Sequence, residues 1–223
     1  RVRFAVIPTL APYVVPLFLA HFGERYPKVN LEIEEMKTDD IIDSLKRDRL
    51  DIGLLATPLH ESSIKEHPLF LEPFYVYASR EGALADHEEI SESDLKNEQI
   101  LLLTEGHCLR EQMVRVCRYK RTKNQIHSNF EFASGSIETL CRLVERGHGY
   151  TVLPHLARSS ASQRAGKIIP FSPPTPSREV SLVAHQSFAR DAVLRALSSS
   201  IKANLPGDLT RSNPELLKPI TFR

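Results

Sequence analysis

The chain has no long apolar segment and no excess of either charge. No run of about 18 apolar residues occurs, and the longest candidate, Tyr13–Ala20, is short and contains Pro16, so no segment is expected to span a membrane. The 223 residues carry 29 basic and 28 acidic side chains, whereas nucleic-acid-binding modules usually have a clear basic excess. Tryptophan is also absent, but a hydrophobic content of 41% leaves enough apolar material for a sizeable core. These features favour a globular domain that does not itself bind DNA.

Several motifs of enzymes and metal sites are missing as well. There is no Gly-x-Ser-x-Gly elbow to support Ser-His-Asp hydrolysis, and Ser134-Gly135-Ser136 is too poor in glycine to form a phosphate cradle. No Cys-x-x-Cys pair occurs. A zinc site built from His107, Cys108, Cys117 and His127 is disfavoured because a helical gap of nine residues separates its cysteines. We therefore expect no metal and no cofactor.

Cysteine is scarce and its number is odd. Three cysteines fit a reducing compartment better than a secreted disulfide framework, and disulfides that form in the cytosol tend to be transient and redox-sensing. A cytoplasmic location is therefore expected. The chain begins at Arg1 and enters a strand-like segment at once, without the pattern of a signal peptide. This start predicts a fragment whose upstream part is missing; the alternative is a mature protein cut after an export signal.

Apolar periodicity predicts an α/β protein with alternating strands and helices. The first part reads as a βαβαβ run, which implies a parallel sheet with right-handed crossovers. The predicted elements are a strand at 3–8, a helix at 12–26, a strand at 31–36, a helix with Thr38 as its N-cap, and a strand at 51–56. Acidic residues at 39 and 40 suit the first turn of that second helix.

A long extended stretch, Leu69–Ser79, leads to a second βα series. Its predicted elements are a strand at 100–103, a helix at 109–119, a strand at 130–132, a helix at 137–146, a strand at 150–153, a Pro-rich connector at 172–176, a strand at 180–184 and a helix at 192–203. Two α/β lobes joined by two extended crossings would form a cleft suited to a small ligand. We therefore predict one subdomain from 1–73 with 177–205 and another from 74–176, whereas 206–223 has no period and is expected to be a poorly ordered tail.

The chemically informative segment runs from Gly106 to Cys117. Cys108 falls where a loop becomes a helix, and the positive end of a helix together with a nearby cation, Arg110 or His107, lowers the pKa of a thiol from about 8.5. A thiolate attacks peroxide to give a sulfenic acid, which forms a disulfide if a second cysteine can reach it. Nine helical residues rise about 13 Å, whereas the Cα atoms of a disulfide lie within about 7 Å. If Cys108 and Cys117 bracket a helix, joining them requires that helix to rearrange, which is the behaviour of a switch.

The segment Gly106-His107-Cys108-Leu109-Arg110, with Cys117 nine residues beyond Cys108, resembles the redox motif of the OxyR peroxide sensors, a branch of the LysR family of transcription regulators. Further matches lie at 7–10, Thr38, 51–54 and 151–154, so the resemblance covers roughly residues 2–203. The fold that it implies is two Rossmann-like subdomains joined by two crossing strands, as in type 2 periplasmic binding proteins. A winged helix-turn-helix DNA-binding domain would lie upstream of this chain.

The resemblance also implies roles for individual residues and partners. Cys108 would be the peroxidatic thiol and Cys117 the resolving one, while the peroxide pocket would be lined by Thr9, Thr38, His107 and Arg178. The implied function is that of a transcriptional activator rather than an enzyme, which senses hydrogen peroxide through the Cys108–Cys117 disulfide and activates oxidative-stress genes. The implied partners are DNA through the upstream domain, further copies of the chain in dimers and tetramers, RNA polymerase, and glutaredoxin- or thioredoxin-type reductants.

Plainer interpretations of the same residues stay open. Thr9 and Thr38 are most simply turn and cap residues, and Arg178 a surface charge. Cys141 lies within a predicted helix and is most simply a small residue of that helix. The alternative functions are an effector-binding domain of another LysR-type regulator, a solute-binding protein and a thiol peroxidase, which share parts of the architecture or the chemistry.

Overall fold

The computed structural model describes residues 1–96, 98–118, 125–127, 130–131, 134–211 and 213–221. The α-helices are α1 Ala11–Arg25, α2 Thr38–Lys46, α3 Cys108–Val116, α4 Ile137–Glu145, α5 Asp191–Ala203 and α6 Gly207–Thr210. The strands are β1 Val2–Val6, β2 Leu31–Glu35, β3 Ile52–Thr57, β4 Ile64–Ser79, β5 Gln125–His127, β6 Phe130–Glu131, β7 Tyr150–Pro154, β8 Gly166–Pro170, β9 Thr175–His185 and β10 Leu217–Pro219. In the described ranges no helix is both long and apolar enough to cross a membrane.

The chain divides into two compact units. The N-terminal unit comprises Arg1–Leu71 and Glu179–Ser212, and the cysteine unit comprises Glu72–Arg178 and Asn213–Phe222. Strands β4 and β9 each supply residues to both units, since the boundaries at 71/72 and 178/179 fall inside them. All three cysteines belong to the second unit.

The N-terminal unit is built on the predicted βαβαβ run. Strand β1 pairs in parallel with β2 and with β3, and β3 pairs antiparallel with the later part of β9. Helix α1 packs against α5, and its apolar side chains cover the sheet. Phe18 meets both Phe4 and Phe22 edge to ring at centroid distances of 6.3 and 6.4 Å, a favourable geometry for aromatic pairs. The parallel pairing that the sequence predicted is therefore confirmed for this unit.

The start of α2 corrects one prediction. Lys37, not Thr38, occupies the N-cap position, and Thr38 is the first residue of the helix. Its side chain is buried rather than turned back to cap the helix, and its Oγ1 has no hydrogen-bond partner among the described residues. Thr38 is therefore not explained by capping.

The cysteine unit has a smaller antiparallel sheet with helices α3 and α4. The later part of β4 pairs with β7 and with β8, and the first residues of β9 pair in parallel with β10. The strand predicted at 100–103 is wrong as a regular strand: Ile100 and Leu103 form only isolated parallel bridges, to Tyr150 and Ser134. Of the strand predicted at 130–132, Phe132 lies outside the described residues. Helix α3 ends at Val116, since Arg118 adopts a positive φ of 46° that a right-handed helix does not allow.

The expectation of an unstructured tail after residue 205 is also wrong. Residues 207–210 form α6, with Leu209 buried, and residues 217–219 form β10 in parallel register with 175–177 of β9. With four and three residues, these elements are too short to show a recognisable apolar periodicity. The end of the described chain therefore pairs with the first residues of β9, within the cysteine unit.

Candidate functional site

The N-terminal end of α3 places Cys108 at the boundary between loop and helix. His107 is the N-cap in extended conformation, and the amide of Arg110 donates to the His107 carbonyl at 2.9 Å to close the first turn. Cys108 is thus the first helical residue, one position before the predicted start at 109, and its side chain is only 6% exposed. A group at this position feels the positive end of the helix, which favours a thiolate.

The loop before α3 is fastened to the loop before α4. The amide of Thr104 donates to the Ser134 carbonyl at 2.8 Å, beside the Leu103–Ser134 bridge. The Arg110 guanidinium turns back and donates to the Leu103 carbonyl at 2.6 Å. Arg110, one of the two cations predicted to stabilise the thiolate, therefore also holds the loop that precedes α3.

The His107 ring lies against the backbone of Gly135. A Cβ atom at this glycine would stand 3.2 Å from His107 Nε2, closer than side chains normally approach. Gly135 directly precedes Ser136, the N-cap of α4, so the first residues of α3 and α4 adjoin at this histidine. In the sequence, Gly135 belongs only to a segment too poor in glycine for a phosphate loop, and no local pattern indicates its contact with His107.

Cys117 lies at the opposite end of α3. It is the C-cap residue, its amide donates to the Met113 carbonyl at 3.0 Å, and its side chain is buried. Burial raises the pKa of the Cys117 thiol to about 12, and Glu92 adds to the effect of burial while a hydrogen bond with Tyr150 opposes it. This thiol is therefore protonated and unreactive at neutral pH in the present conformation.

The structure shows the dithiol form of the protein. Cys108, Cys117 and Cys141 are all thiols rather than disulfides, and Cys117 lies nine positions beyond Cys108 at the other end of α3. Nine residues of α-helix rise about 13 Å, which exceeds the separation of about 7 Å that a disulfide can bridge. Cys108 and Cys117 can therefore bond only after α3 unwinds or shifts.

Cys141 is set apart from this pair. It lies in the middle of α4, is completely buried, and packs within the apolar face of that helix. Burial, together with the carboxylates of Glu145 and Glu138, raises the pKa of its thiol to about 12. This environment agrees with the plain interpretation of Cys141 as a small core residue.

Arg178 is not the surface charge that a plain reading of the sequence suggested. Its side chain is fully buried, and both its Nε and a terminal nitrogen contact Glu72 Oε2 at 2.8 Å. The other oxygen of Glu72, which is equally buried, accepts from the Leu156 amide at 2.8 Å. A buried ion pair of this kind requires such additional hydrogen bonds to offset desolvation. Next to Arg178, the buried Ser177 Oγ has no partner within the described part of the chain.

The predicted pocket residues divide between the two units. Thr9 and Thr38 belong to the N-terminal unit, where both are buried just after β1 and at the start of α2. His107, Cys108, Cys117 and Arg178 belong to the cysteine unit. Across the residues that the structure describes, no group of three or more His, Cys, Asp or Glu side chains could hold a metal ion.

A comparison with protein families defines the class. The model of the LysR substrate-binding domain matches residues 1–206. The chain therefore belongs to the LysR substrate-binding domain family, and the predicted α/β fold class of type 2 periplasmic-binding-protein kind is confirmed.

Similar proteins within this family include hydrogen peroxide-inducible genes activators. The chain is 36% identical over 202 residues to a probable hydrogen peroxide-inducible genes activator of Streptomyces viridosporus, covering 90% of the chain and 64% of that protein. It is 30% identical over 206 residues to the DNA-binding transcriptional dual regulator OxyR of Escherichia coli K12, covering 92% of the chain and 66% of that protein. The chain thus spans about two thirds of the length of these relatives.

Solved OxyR structures have the same fold. A crystal structure of an OxyR mutant from Porphyromonas gingivalis superposes with a TM-score of 0.85 at 28% identity, covering 98% of this chain and 99% of that one. The reduced form of the OxyR regulatory domain from Pseudomonas aeruginosa superposes with a TM-score of 0.79 at 31% identity, covering 91% and 96%. The resemblance first seen in the motif around Cys108 is therefore confirmed over most of the chain.

Proposed function

We propose that this chain is the hydrogen-peroxide-sensing regulatory domain of a LysR-type transcriptional activator. The observation that carries the proposal is the placement of Cys108 at the first position of α3 and of Cys117 at its C-cap, both as buried thiols. The similarity to hydrogen peroxide-inducible genes activators over at least 90% of the chain supports the same function.

The first chemical step uses Cys108. Its thiolate attacks one oxygen of hydrogen peroxide, so that an S–O bond forms, the O–O bond breaks, and the leaving hydroxide takes a proton to become water. The product is Cys108 sulfenic acid. Cys117 does not compete for peroxide, because burial holds its pKa at about 12 and keeps it protonated.

The second step joins the two sulfurs. Cys117, released from its buried position and deprotonated, attacks the Cys108 sulfur; the S–S bond forms, the S–O bond breaks, and the departing hydroxide takes the Cys117 proton to become a second water. One hydrogen peroxide is thereby reduced and one dithiol oxidised. Because the step requires α3 to unwind or shift, oxidation changes the conformation of the cysteine unit.

The proposed pocket residues have two roles, namely binding peroxide and stabilising the charge that develops during the reaction. In this proposal the hydroxyls of Thr9 and Thr38 and the ring of His107 hold peroxide, and the Arg178 guanidinium stabilises the thiolate and the leaving oxygen. Support comes from Thr38, whose buried hydroxyl has no protein partner among the described residues, and from the ion pair that fixes Arg178. A buried hydroxyl without a partner is costly unless a ligand or water meets it.

The remaining parts of the function lie beyond this chain. We propose that it acts in the reducing cytoplasm, assembles with further copies into dimers and tetramers, and controls DNA contacts and RNA polymerase through an upstream domain. Glutaredoxin- or thioredoxin-type reductants would restore the dithiol. The protein then works as a sensor that turns over once per signal rather than as an enzyme.

Cysteine connectivity after mild oxidation tests the proposal. Treatment with one equivalent of hydrogen peroxide is expected to give a single Cys108–Cys117 disulfide, seen by peptide mapping without reductant. Cys108→Ser should give none, and Cys141→Ser serves as the matched control that should leave the linkage intact. A disulfide to Cys141 would contradict the proposal. Saturable binding of a small carboxylate that survives Cys108→Ser, without any disulfide, would support an effector-binding domain instead.

A further inference from the structure

We propose that residues 217–221, here called the C-terminal strap, hold α3 in its dithiol conformation and are released when the Cys108–Cys117 disulfide forms. This inference rests on the proposed redox function, and it predicts a second measurable consequence of oxidation, namely release of the strap. It assigns a role to a segment that sequence analysis expected to be disordered.

One side of the strap is fixed to β9. Leu217, Lys218 and Pro219 pair in parallel with 175–177, and the Ile220 amide donates to the Ser177 carbonyl at 2.8 Å. This is a short ladder at the very residues that precede Arg178. So few backbone bonds give only weak retention, because a strand of three residues offers little cooperative pairing.

The other side of the strap is fixed to α3. The Gln112 Nε2 donates to the Ile220 carbonyl at 3.1 Å, and the Arg115 guanidinium donates to the Thr221 hydroxyl at 2.9 Å. Gln112 and Arg115 are three residues apart, so they project from one face of the helix. The helix between the redox cysteines is thus tied to the strap at two successive positions.

Gln112 shows that the tie is a specific feature of α3. Its side chain is completely buried, and its Oε1 has no hydrogen-bond partner among the described residues. Burying an amide is costly unless it is hydrogen-bonded, and the bond from Nε2 to the Ile220 carbonyl offsets part of this cost. The hydrogen bond to Ile220 is therefore the interaction that accounts for a glutamine at this position.

Disulfide formation and strap binding compete for the same helix. Peroxide oxidises the two thiols to one disulfide and is reduced to water, and the bond forms only when α3 leaves its present path. Gln112 and Arg115 then lose their positions opposite Ile220 and Thr221, which leaves the strap on the short β9 ladder. The coupling is reciprocal: if the disulfide releases the strap, weakening the strap favours the disulfide.

Hydrogen exchange of the strap, measured on the same sample as the disulfide, tests the release. In the dithiol protein the Ile220 amide, which donates to the Ser177 carbonyl, should be protected, and after peroxide treatment it should exchange at least about tenfold faster. The mass of the Cys108–Cys117 peptide reports whether the disulfide formed. If it forms and strap protection is unchanged, the strap proposal alone is wrong; if no disulfide forms, both proposals fall.

Substitutions on α3 test the reverse coupling. In a glutathione redox titration, Gln112→Met should shift the thiol–disulfide equilibrium about tenfold toward disulfide, and Arg115→Ala about threefold, since the second bond is exposed to water. Arg142→Ala removes a comparable helix-surface arginine, hydrogen-bonded to Glu145 and not to the strap, and should leave the equilibrium unchanged. Thermal unfolding of each dithiol variant shows that it is folded. Equal equilibria in Gln112→Met, Arg115→Ala and the parent chain would overturn the proposal.

Discussion

Helices α3 and α4 have the same length and lie in the same unit, but they are stabilised differently. Both have nine residues and both bury a cysteine. Helix α4 is capped by Ser136, whose side chain accepts from the Thr139 amide, and its buried residues are all apolar. Helix α3 begins at His107 without a side-chain cap bond in the described structure, and its buried face includes Gln112.

The difference is one reason to propose that α3, and not α4, acts as the switch. Helix α4 has a side-chain cap of its own, a contribution that persists whatever happens around the helix. Helix α3 depends on contacts with other segments, namely the loop at Ser134 and the C-terminal strap. A helix stabilised from outside can be unwound at lower cost than one stabilised from within. The cysteine in α4 is correspondingly a core residue, whereas those at the two ends of α3 are the pair that we propose to form the disulfide.

The largest expected effect separates the two helices by their cysteines. Cys117→Ser should abolish the intramolecular disulfide, so that Cys108 sulfenic acid accumulates after peroxide treatment. The sulfenic acid can be trapped with a carbon nucleophile such as dimedone, and the adduct can be detected by mass spectrometry. Cys141→Ser should behave as the parent chain in the same assay. Loss of the disulfide in Cys141→Ser with retention in Cys117→Ser would reverse the assignment of the helices.

Alkaline pH offers a second way to separate them. Burial raises the pKa values of Cys117 and Cys141 from 9.0 to about 12. The folded dithiol binds these protons more tightly than the unfolded chain, so the resulting stability is complete below about pH 9 and is lost as the pH rises toward 12. Denaturant unfolding between pH 8 and pH 11 should therefore show a falling free energy of unfolding.

The variants assign this alkaline loss to each helix. Cys141→Ala removes one titrating thiol, so the free energy of unfolding should fall less steeply with pH than in the parent dithiol protein. The Cys108–Cys117 disulfide form should also show a shallower fall, because Cys117 no longer titrates. Tyr77, whose pKa burial also raises, contributes equally to the dithiol and disulfide forms, whereas its contribution decreases in Cys141→Ala because the charge of Cys141 is one cause of its raised pKa. Identical slopes in the dithiol, disulfide and Cys141→Ala proteins would show that burial does not set these pKa values.

The contact between the two helix starts can be broken at Gly135. Gly135→Ala would place a Cβ atom against His107 Nε2 and displace the ring, so we expect oxidation of Cys108 to slow by about tenfold. Stopped-flow measurement of disulfide formation gives the rate. Gly23→Ala is the matched control, because a Cβ there meets no atom within 4 Å, and it should react at the parent rate. An unchanged rate in Gly135→Ala would remove His107 from the pocket.

The smallest expected effect concerns the cap of α4. Ser136→Ala removes the acceptor for the Thr139 amide and should lower the free energy of unfolding by about 1 kcal/mol, measured by denaturant titration. Ser159→Ala, which removes only a long hydroxyl contact to the Leu156 carbonyl, should change it by less than about 0.5 kcal/mol. If the two variants are equally stable, the internal cap does not distinguish α4 from α3.

Local features of this fold could be predicted from the sequence, and contacts distant along the chain could not. The strands and helices of the N-terminal unit follow from apolar periodicity, and the start of α3 follows from the position of Cys108 after a loop. Glu72 as the partner of Arg178 and Ile220 as the partner of Gln112 lie 106 and 108 residues away in sequence, respectively. No periodicity or capping pattern encodes such pairs, because they depend on how the sheet of the cysteine unit assembles.

The role assigned to Thr38 failed for a related reason. A threonine before two acidic residues is the usual pattern of an N-cap, but the helix begins one residue earlier than the pattern predicts. The burial of the hydroxyl, which makes Thr38 interesting for a ligand, depends on packing around α2 and leaves no trace in the local sequence.

The fully buried pair of Arg178 and Glu72 governs how mutagenesis of the arginine has to be interpreted. Arg178→Ala would strand the Glu72 carboxylate in the interior without its counter-ion, a change that costs about 3–5 kcal/mol in comparable cases. Lost peroxide sensing in that single variant would then report a damaged interior as readily as a missing pocket cation. Replacing both partners together, Arg178→Met with Glu72→Gln, removes the stranded charge, so a defect that persists in the double variant belongs to the chemistry of the arginine.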